Sequence, residues 1–249
     1  MNAPESQAPG AAPDKALALA GVHAGYGRTV VLEDIDLALD RGERVSIIGR
    51  NGVGKTTLLG TVLGYTTLHS GRIELAGRDI SNARTYDRVR AGLGLVPQER
   101  EVFPSLSVYE NLAVARRAGG WTFEQVYELF PQLGSRTTHK GNQLSGGEQQ
   151  MLAIARALVG NPAVLLMDEP TEGLAPVIIE QLVDAMHTLR AQEGLTIILV
   201  EQHTGIALEF SDRTVVMNRG RIVYDGPSAA LAADEALLNS LVGVAGDEA

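Results

Sequence analysis

The segment at residues 49–57 has the residue types and spacing of a phosphate-binding loop. It matches G-x-x-x-x-G-K-[ST] and lies between a short apolar run at residues 44–49 and a helix-like stretch at residues 55–63. Glycines let backbone N–H groups form a concave anion site, Lys55 is long enough to reach the β- and γ-phosphates, and the Thr56 hydroxyl suits Mg²⁺. A glycine turn that merely caps a helix is the alternative. The predicted nucleotide-binding residues are Gly49, Arg50, Asn51, Gly52, Val53, Gly54, Lys55, Thr56 and Thr57.

Two adjacent carboxylates end a second apolar run, at residues 163–167. If this run is a strand of the same parallel sheet, Asp168 and Glu169 lie at its carboxyl edge beside the phosphate loop. Asp168 would then bind Mg²⁺, directly or through water, and Glu169 would polarise the attacking water as a general base. Taken alone, the segment is better explained by solvated acids before Pro170. The phosphate loop reverses that preference.

A third motif, LSGGEQQ at residues 144–150, places a small polar residue and two glycines at the start of a helix that runs to about Val159. Such a helix start can accept an anion, so one chain would have two anion sites. On physical grounds alone the simpler interpretation is preferred, in which Ser145 caps the helix and Glu148 closes a capping box. The candidate anion-binding residues are Ser145, Gly146, Gly147 and Glu148.

The three motifs together resemble the ATP-binding subunits of ABC transporters, whose signature LSGGQ is matched here by LSGGE at residues 144–148. The resemblance covers nearly the whole chain and implies ATP as substrate, Mg²⁺ as cofactor and ATP hydrolysis as activity. It also implies that the signature of one subunit lies over the γ-phosphate held by the phosphate loop of another. Two subunits arranged head to tail would then bind two ATP molecules between them, which explains the two anion sites in one chain.

Three further positions are similar to functional residues of that family. Tyr26, in Gly-Tyr-Gly, resembles the aromatic residue that stacks on adenine; a turn tyrosine is the alternative. Gln98 resembles the glutamine that meets Mg²⁺ and water and links the core to the helical lobe; a polar strand end is the alternative. Residues 102–112 resemble the segment that receives a helix of the membrane partner, whereas packing inside the lobe is the simpler interpretation.

The sequence departs from the family pattern at two positions. The family's switch histidine lies ten residues before an Asp-[KR] pair, and counting back from Asp212 reaches Gln202, with His203 one position late. Both residues are catalytic candidates, and Gln202 is the better one. An amide can hydrogen-bond the γ-phosphate or water but cannot take up a proton near neutrality, so Glu169 would act as base alone. The second departure is at residues 172–175, where the usual S-A-L-D reads E-G-L-A and the aspartate is missing.

These departures resemble the subgroup that energises uptake of branched-chain amino acids, and of related amides such as urea, in bacteria; the likeness is to the shorter of its two ATPases. The resemblance implies as partners a second ABC ATPase subunit, homologous or identical, two transmembrane permease subunits and, indirectly, a periplasmic solute-binding protein. It implies a peripheral position on the cytoplasmic face of the inner membrane. A soluble ABC-type ATPase of DNA repair or translation and a non-hydrolysing nucleotide-binding regulator are the alternatives.

Composition narrows the classes of partner and chemistry. The chain of 249 residues has a formal net charge of -9, which opposes binding to a phosphate backbone, so no nucleic acid partner is expected. It contains no cysteine, which excludes disulfides, thiolate zinc sites and a cysteine nucleophile. It also has no apolar run of about 18 residues that would span a bilayer.

The order of apolar runs predicts the elements that hold these residues. Alternating runs at residues 17–24 and 34–39 predict an antiparallel β layer. Compact apolar runs at residues 93–96, 163–167 and 196–200, with helical stretches between them, are typical of a parallel sheet buried on both faces. The predicted fold class is therefore α/β: a P-loop NTPase with a parallel-sheet core, an N-terminal antiparallel β layer and an inserted helical lobe.

The domain organisation follows from these elements. Residues 1–14 are predicted to be a disordered tail, residues 15–243 an ATP-binding domain, and residues 244–249 a second tail. Within the domain the helical lobe is predicted at about residues 99–160, with Thr122 as a helix cap and Gln125 three residues later.

Overall fold

Strands and helices alternate along most of the chain in the computed structural model, which describes residues 15–190 and 194–242. The strands are β1 (Lys15–Tyr26), β2 (Thr29–Asp40), β3 (Arg44–Ile48), β4 (Thr67–Leu75), β5 (Arg78–Asp79), β6 (Leu93–Val96), β7 (Val164–Asp168), β8 (Thr196–Val200), β9 (Arg213–Asn218) and β10 (Arg221–Pro227). The helices are α1 (Lys55–Leu63), α2 (Thr85–Arg90), α3 (Val108–Ala113), α4 (Phe123–Leu129), α5 (Pro131–Gly134), α6 (Gly146–Val159), α7 (Pro176–Arg190), α8 (Thr204–Phe210), α9 (Ser228–Ala233) and α10 (Glu235–Val242). A short 3-10 helix occupies Gly141–Gln143.

The N-terminal strands form an antiparallel sheet in the order β2-β1-β4-β5. The predicted pair, β1 and β2, runs antiparallel from Lys15 opposite Asp40 to Tyr26 opposite Thr29. Strand β4 adds to the other edge of β1, with Leu17 opposite Leu75. The sheet therefore has two strands that the alternating pattern did not predict, because β4 is mostly exposed and carries little apolar signal.

The second sheet has six strands in the order β10-β9-β3-β8-β7-β6. All neighbours are parallel except β10, which runs antiparallel to β9. The predicted α/β fold with a parallel-sheet core is confirmed. Because parallel strands end at the same edge of a sheet, the segments that follow β3, β6, β7 and β8 meet there.

The central strands separate two hydrophobic cores. Along β7, Val164 and Leu166 point into the core shared with α1 and the antiparallel sheet, while Leu165 and Met167 point into the core shared with α6 and α7. Strand β8 alternates in the same way, and every residue of both strands is buried. This is the period-two alternation of a strand buried on both faces, and it explains why the residues at 164–167 and 197–200 are all apolar.

Helices α3 to α6 occupy the segment predicted as an inserted lobe and pack on one face of the parallel sheet. The predicted cap at Thr122 is present, since the Thr122 Oγ1 accepts from the Gln125 N–H at 3.3 Å. The lobe bounds at residues 99–160 stay a prediction. The predicted tails lie outside the described residues. No helix in the described ranges is long and apolar enough to cross a bilayer.

Arg88 is a buried cation that ties α1 to the segment before α2. Its guanidinium donates to the carbonyls of Thr61 and Val62 at 2.9 and 2.8 Å, in the last turn of α1, and to those of Ser81 and Ala83 at 2.9 Å each. The side chain is only 3% exposed. A cation is favourable at a helix C-terminus, where backbone carbonyls lack helical partners.

The substitution Arg88→Met is expected to lower the free energy of unfolding by about 3 kcal/mol, because it leaves buried carbonyls without donors while keeping most of the side-chain volume. Urea denaturation followed by circular dichroism measures the change. Arg72→Met is the matched control: Arg72 is an exposed ion-pair arginine, and its loss should cost no more than about 0.5 kcal/mol. Equal losses for the two variants would contradict the proposed role of Arg88.

Candidate functional site

The predicted phosphate loop connects β3 to α1 and is shaped by three glycines with positive φ. Gly49, Gly52 and Gly54 have φ values of 151°, 80° and 109°, which favour glycine over other residues. A Cβ at Gly49 would also lie 2.5 Å from the carbonyl oxygen of Met217. The loop therefore closes tightly at the carboxyl edge of the sheet, where the first backbone N–H groups of α1 are free to meet an anion.

Lys55 is buried at the start of α1 and joins the loop to the carboxylates. Its ammonium donates to the carbonyls of Gly49 at 2.9 Å and Arg50 at 3.3 Å. It also lies 3.2 Å from Glu169 Oε1. A positive charge at this point faces the cavity and suits the phosphates of a nucleotide.

Asp168 ends β7 beside the phosphate loop, and Thr56 Oγ1 donates to its Oδ1 at 3.3 Å. Burial raises the pKa of Asp168 to about 6, against the lowering effect of the Thr56 hydrogen bond. The carboxyl is therefore ionised at neutral pH and loses its charge as pH falls through 6. A carboxylate next to a hydroxyl is an oxygen donor set that fits Mg²⁺.

Glu169 is buried one residue further on and has an unusual backbone, with φ at 45°. Its N–H donates to the Val200 carbonyl at 2.9 Å, at the end of β8. Its Oε2 accepts from Gln202 Nε2 at 2.5 Å. A left-handed backbone is costly for a residue with a side chain and occurs often at functional sites.

The structure distinguishes the two candidates that follow β8. Gln202 lines the cavity of about 280 Å³ beside the phosphate loop, together with Lys55, Thr56 and Glu169. His203 is the N-cap position of α8, where its side chain makes no capping hydrogen bond, and it does not line that cavity. The geometry therefore favours Gln202 as the partner of Glu169.

Gln98 follows β6 and lines the same cavity, where its Nε2 donates to Glu172 Oε2. The sequence singled out Glu172 only as a departure from the family pattern, so its presence beside the phosphate loop was missed. Glu172 follows Glu169 by three residues, but its contact with Gln98 spans 74 residues of sequence. Local sequence carries no signal for a contact of that kind.

Tyr26 ends β1 and is 55% exposed. With Thr56, Leu59 and Gly60 it lines a second cavity of about 310 Å³, along α1. An exposed aromatic ring beside the phosphate loop can stack on a planar base. The position therefore fits the predicted contact with adenine.

The signature residues lie at the start of α6 and do not line the cavity that holds Lys55. Ser145 Oγ accepts from the Glu148 N–H at 3.3 Å and Glu148 Oε2 accepts from the Ser145 N–H at 2.8 Å, which is a capping box. Arg136 Nε lies 2.5 Å from Glu148 Oε1 and offsets the carboxylate charge. Within the described chain, Gly146 and Gly147 therefore belong to a separate helix start.

The two cavities, which share Thr56 and Gln98, thus assemble residues from four strand ends. The phosphate loop of residues 49–57, Gln98, Asp168, Glu169 and Gln202 come together, while Ser145, Gly146, Gly147 and Glu148 do not join them. Cationic and backbone donors, a carboxylate–hydroxyl pair and a second carboxylate form a set that can bind a phosphate chain and activate a water molecule.

Comparisons with known proteins agree with this geometry. The family model described as ABC transporter matches residues 32–172. The chain is 40% identical over 227 residues to the high-affinity branched-chain amino acid transport ATP-binding protein BraG of Pseudomonas aeruginosa, covering 88% of this chain and 95% of BraG. It is 36% identical over 228 residues to the probable branched-chain amino acid transport ATP-binding protein LivF of Archaeoglobus fulgidus, covering 90% of this chain and 97% of LivF.

Among solved structures, the fold is similar to the dimeric structure of a post-hydrolysis state of an ATP-binding cassette bound to ADP and Pi. The TM-score is 0.74 at 25% sequence identity, over 85% of this chain and 98% of that chain. The two folds therefore match over nearly all of that cassette.

Proposed function

Because the chain belongs to the ABC transporter family of ATP-binding proteins, we propose that it hydrolyses ATP to energise an importer of branched-chain amino acids or related amides. The observation that carries the proposal is the contact between Gln202 Nε2 and Glu169 Oε2, in the cavity that also holds Lys55. It brings a general base, an amide donor and a phosphate-binding cation together. The solute class is inferred from the names of BraG and LivF.

ATP would be held along the carboxyl edge of the parallel sheet. The backbone N–H groups of the loop at residues 49–57 and the Lys55 ammonium bind its phosphates, and Tyr26 stacks on its adenine. Lys55 exchanges its contacts with the Gly49 carbonyl and Glu169 for phosphate oxygens. Binding of ATP therefore releases the Glu169 carboxylate from its ion pair.

The released Glu169 would act as the general base. It accepts a proton from water as that water attacks the γ-phosphorus; the bond from this phosphorus to the bridging oxygen breaks, and ADP leaves with that electron pair. Gln202 holds the carboxylate in place through its amide. Thr56, Asp168 and Gln98 are the residues that would hold Mg²⁺. When bound, the ion neutralises charge on the β- and γ-phosphate oxygens.

The signature at Ser145 and Gly147 would complete the site of a second ATPase subunit. Its helix start is separate from the cavity of its own chain, so it can face the nucleotide of a partner arranged head to tail. The Arg136–Glu148 ion pair supports this use, because it offsets a negative charge that would repel the γ-phosphate. Closure of such a dimer on ATP, and its opening after hydrolysis, would drive the transport cycle.

The remaining partners are proposed from the same family membership. Two transmembrane permease subunits would be attached to this peripheral ATPase at the cytoplasmic face of the inner membrane, and a periplasmic solute-binding protein would deliver the solute. The segment at residues 102–112 would receive the permease. Its Phe103 and Tyr109 are 47% and 55% exposed, as expected for a contact surface.

Reconstitution tests the function. The chain is incorporated into proteoliposomes with the polytopic membrane proteins and the secreted binding protein encoded by neighbouring reading frames. Leucine-loaded binding protein is expected to raise ATP hydrolysis severalfold over the leucine-free protein, and the same assembly with Lys55→Ala should show no stimulation. If the rate of ATP hydrolysis were the same with and without the binding protein and the membrane subunits, the proposal that this chain energises an importer would be contradicted.

A further inference from the structure

Glu201 is a buried carboxylate that the proposed mechanism does not use. It follows β8, is 1% exposed, and takes part in no ion pair among residues 15–190 and 194–242. Burial raises the pKa of this carboxyl, and hydrogen bonds from Thr171, His203 and Gln202 lower it. A buried charge without a counter-ion requires hydrogen-bond donors in its place.

Four donors surround this carboxylate. Glu201 Oε1 accepts from Thr171 Oγ1 at 2.7 Å and from the Thr171 N–H at 3.3 Å. Its Oε2 accepts from the N–H groups of Gln202 at 3.1 Å and His203 at 3.5 Å. Three of these groups are backbone N–H groups, which can only donate, and the Thr171 hydroxyl donates as well, so both carboxylate oxygens act as acceptors here.

The donors belong to the two loops that carry the reacting side chains. Thr171 follows Glu169 by two residues, and Gln202 comes directly after Glu201. The ladder between β7 and β8 ends where Asp168 lies opposite Val200. Beyond that pair the Glu169 N–H still bonds the Val200 carbonyl, and the next link between the two loops is the Glu201 carboxylate.

We propose that Glu201 is a positioning residue that fixes the distance between Glu169 and Gln202. The inference rests on the proposed ATPase function and goes beyond it. In this role Glu201 does not contact the substrate. Its carboxylate bonds the loop after β7 and the loop after β8, and this keeps the Gln202 amide 2.5 Å from the Glu169 carboxylate. Loss of this link lets the two side chains separate while the phosphate loop stays intact.

The substitution Glu201→Gln tests the proposal at almost constant volume. The amide keeps one oxygen for one loop and turns its NH₂ group toward the other loop, where it meets a backbone N–H that cannot accept a hydrogen bond. The Thr171 hydroxyl can still accept from it, so the link is weakened on one side. The ATPase kcat is expected to fall roughly 10-fold, with KM for ATP changed by no more than about 2-fold, because misplacement affects the chemical step and not the binding of phosphates.

Thr171 supplies a second set of variants. Thr171→Val removes the hydroxyl donor without changing the shape and should lower kcat roughly 3-fold. Thr171→Ser keeps the hydroxyl, so its kcat should stay within about 1.5-fold of the wild-type value. If Glu201→Gln fails to fold, this matched pair still tests the link. Glu201→Asp keeps a carboxyl group on a shorter side chain, and its kcat should lie between those of the wild type and Glu201→Gln.

Combining Glu201→Gln with Glu169→Gln distinguishes a positioning role of Glu201 from a purely structural one. If Glu201 acts through Glu169, adding Glu201→Gln to Glu169→Gln should leave the residual turnover within about 2-fold. An equal 10-fold loss in both backgrounds, or a parallel rise in KM, would overturn the proposal. A wild-type chain that hydrolyses no ATP would instead count against the proposed function, so the two failures are distinguishable.

Discussion

The substitution Glu169→Gln is expected to reduce ATP turnover by about 10³-fold and to hold two chains together around uncleaved ATP. The amide fills the same volume and can still meet Gln202, but it cannot accept the proton of the attacking water. The substitution also removes the ion pair with Lys55, so the Lys55 ammonium is available to bind the phosphates of ATP. Size-exclusion chromatography with saturating ATP and Mg²⁺ should show a dimer, and a coupled assay should show the loss of turnover.

Glu128→Gln is the matched control. It makes the same chemical change at an exposed position of α4, far along the chain from the phosphate loop. Its turnover and its monomer–dimer balance should equal those of the wild type. A Glu169→Gln chain that remains monomeric with saturating ATP would contradict the proposed head-to-tail dimer.

The second large effect is expected at the switch position. Gln202→Ala should lower kcat by about 10²-fold, because the Glu169 carboxylate, once ATP has displaced it from Lys55, loses the amide that orients it toward the attacking water. His203→Ala should change kcat by no more than about 2-fold, since His203 does not line the cavity. Steady-state ATPase measurements on the two variants are directly comparable, because the positions are adjacent and both are exposed.

The opposite ranking would contradict this assignment. If His203→Ala were the more damaging change, the contact between Gln202 and Glu169 would not represent the working arrangement. Nucleotide binding should be unchanged in both variants, as measured by titration with a fluorescent ATP analogue. A loss of binding would mean that the α8 start, and not the base, had been disturbed.

Local sequence predicted the elements with a strong signal of their own. The phosphate loop lies between β3 and α1, as its glycines and flanking runs indicated. The cap at Thr122 and the capping box at Ser145 are also present, because they depend on residues three positions apart. Resemblance to a known family then supplied the interpretation that Ser145 serves a partner, which physical reasoning alone would not have preferred.

Contacts between distant segments could not be predicted. The pairing of β4 with β1 brings Leu75 opposite Leu17, and the link from Glu201 to Thr171 crosses 30 residues. In both cases the partner is set by the packing of the whole chain and not by nearby residues. For Glu201 the only available signal was a carboxylate placed directly after the apolar run at residues 197–200, because a carboxylate beside a buried strand needs hydrogen-bond donors.

The sharing of β7 and β8 by two cores has a consequence for fluctuations of the site. Local opening of either strand would expose apolar side chains on both faces at once, so its free energy approaches that of unfolding the whole domain. Glu169 and Gln202 extend directly from these two strands. Thermal fluctuations that open peripheral helices therefore leave Glu169 and Gln202 in register, and movement of the lobe must be absorbed in the loops that join it to the sheet.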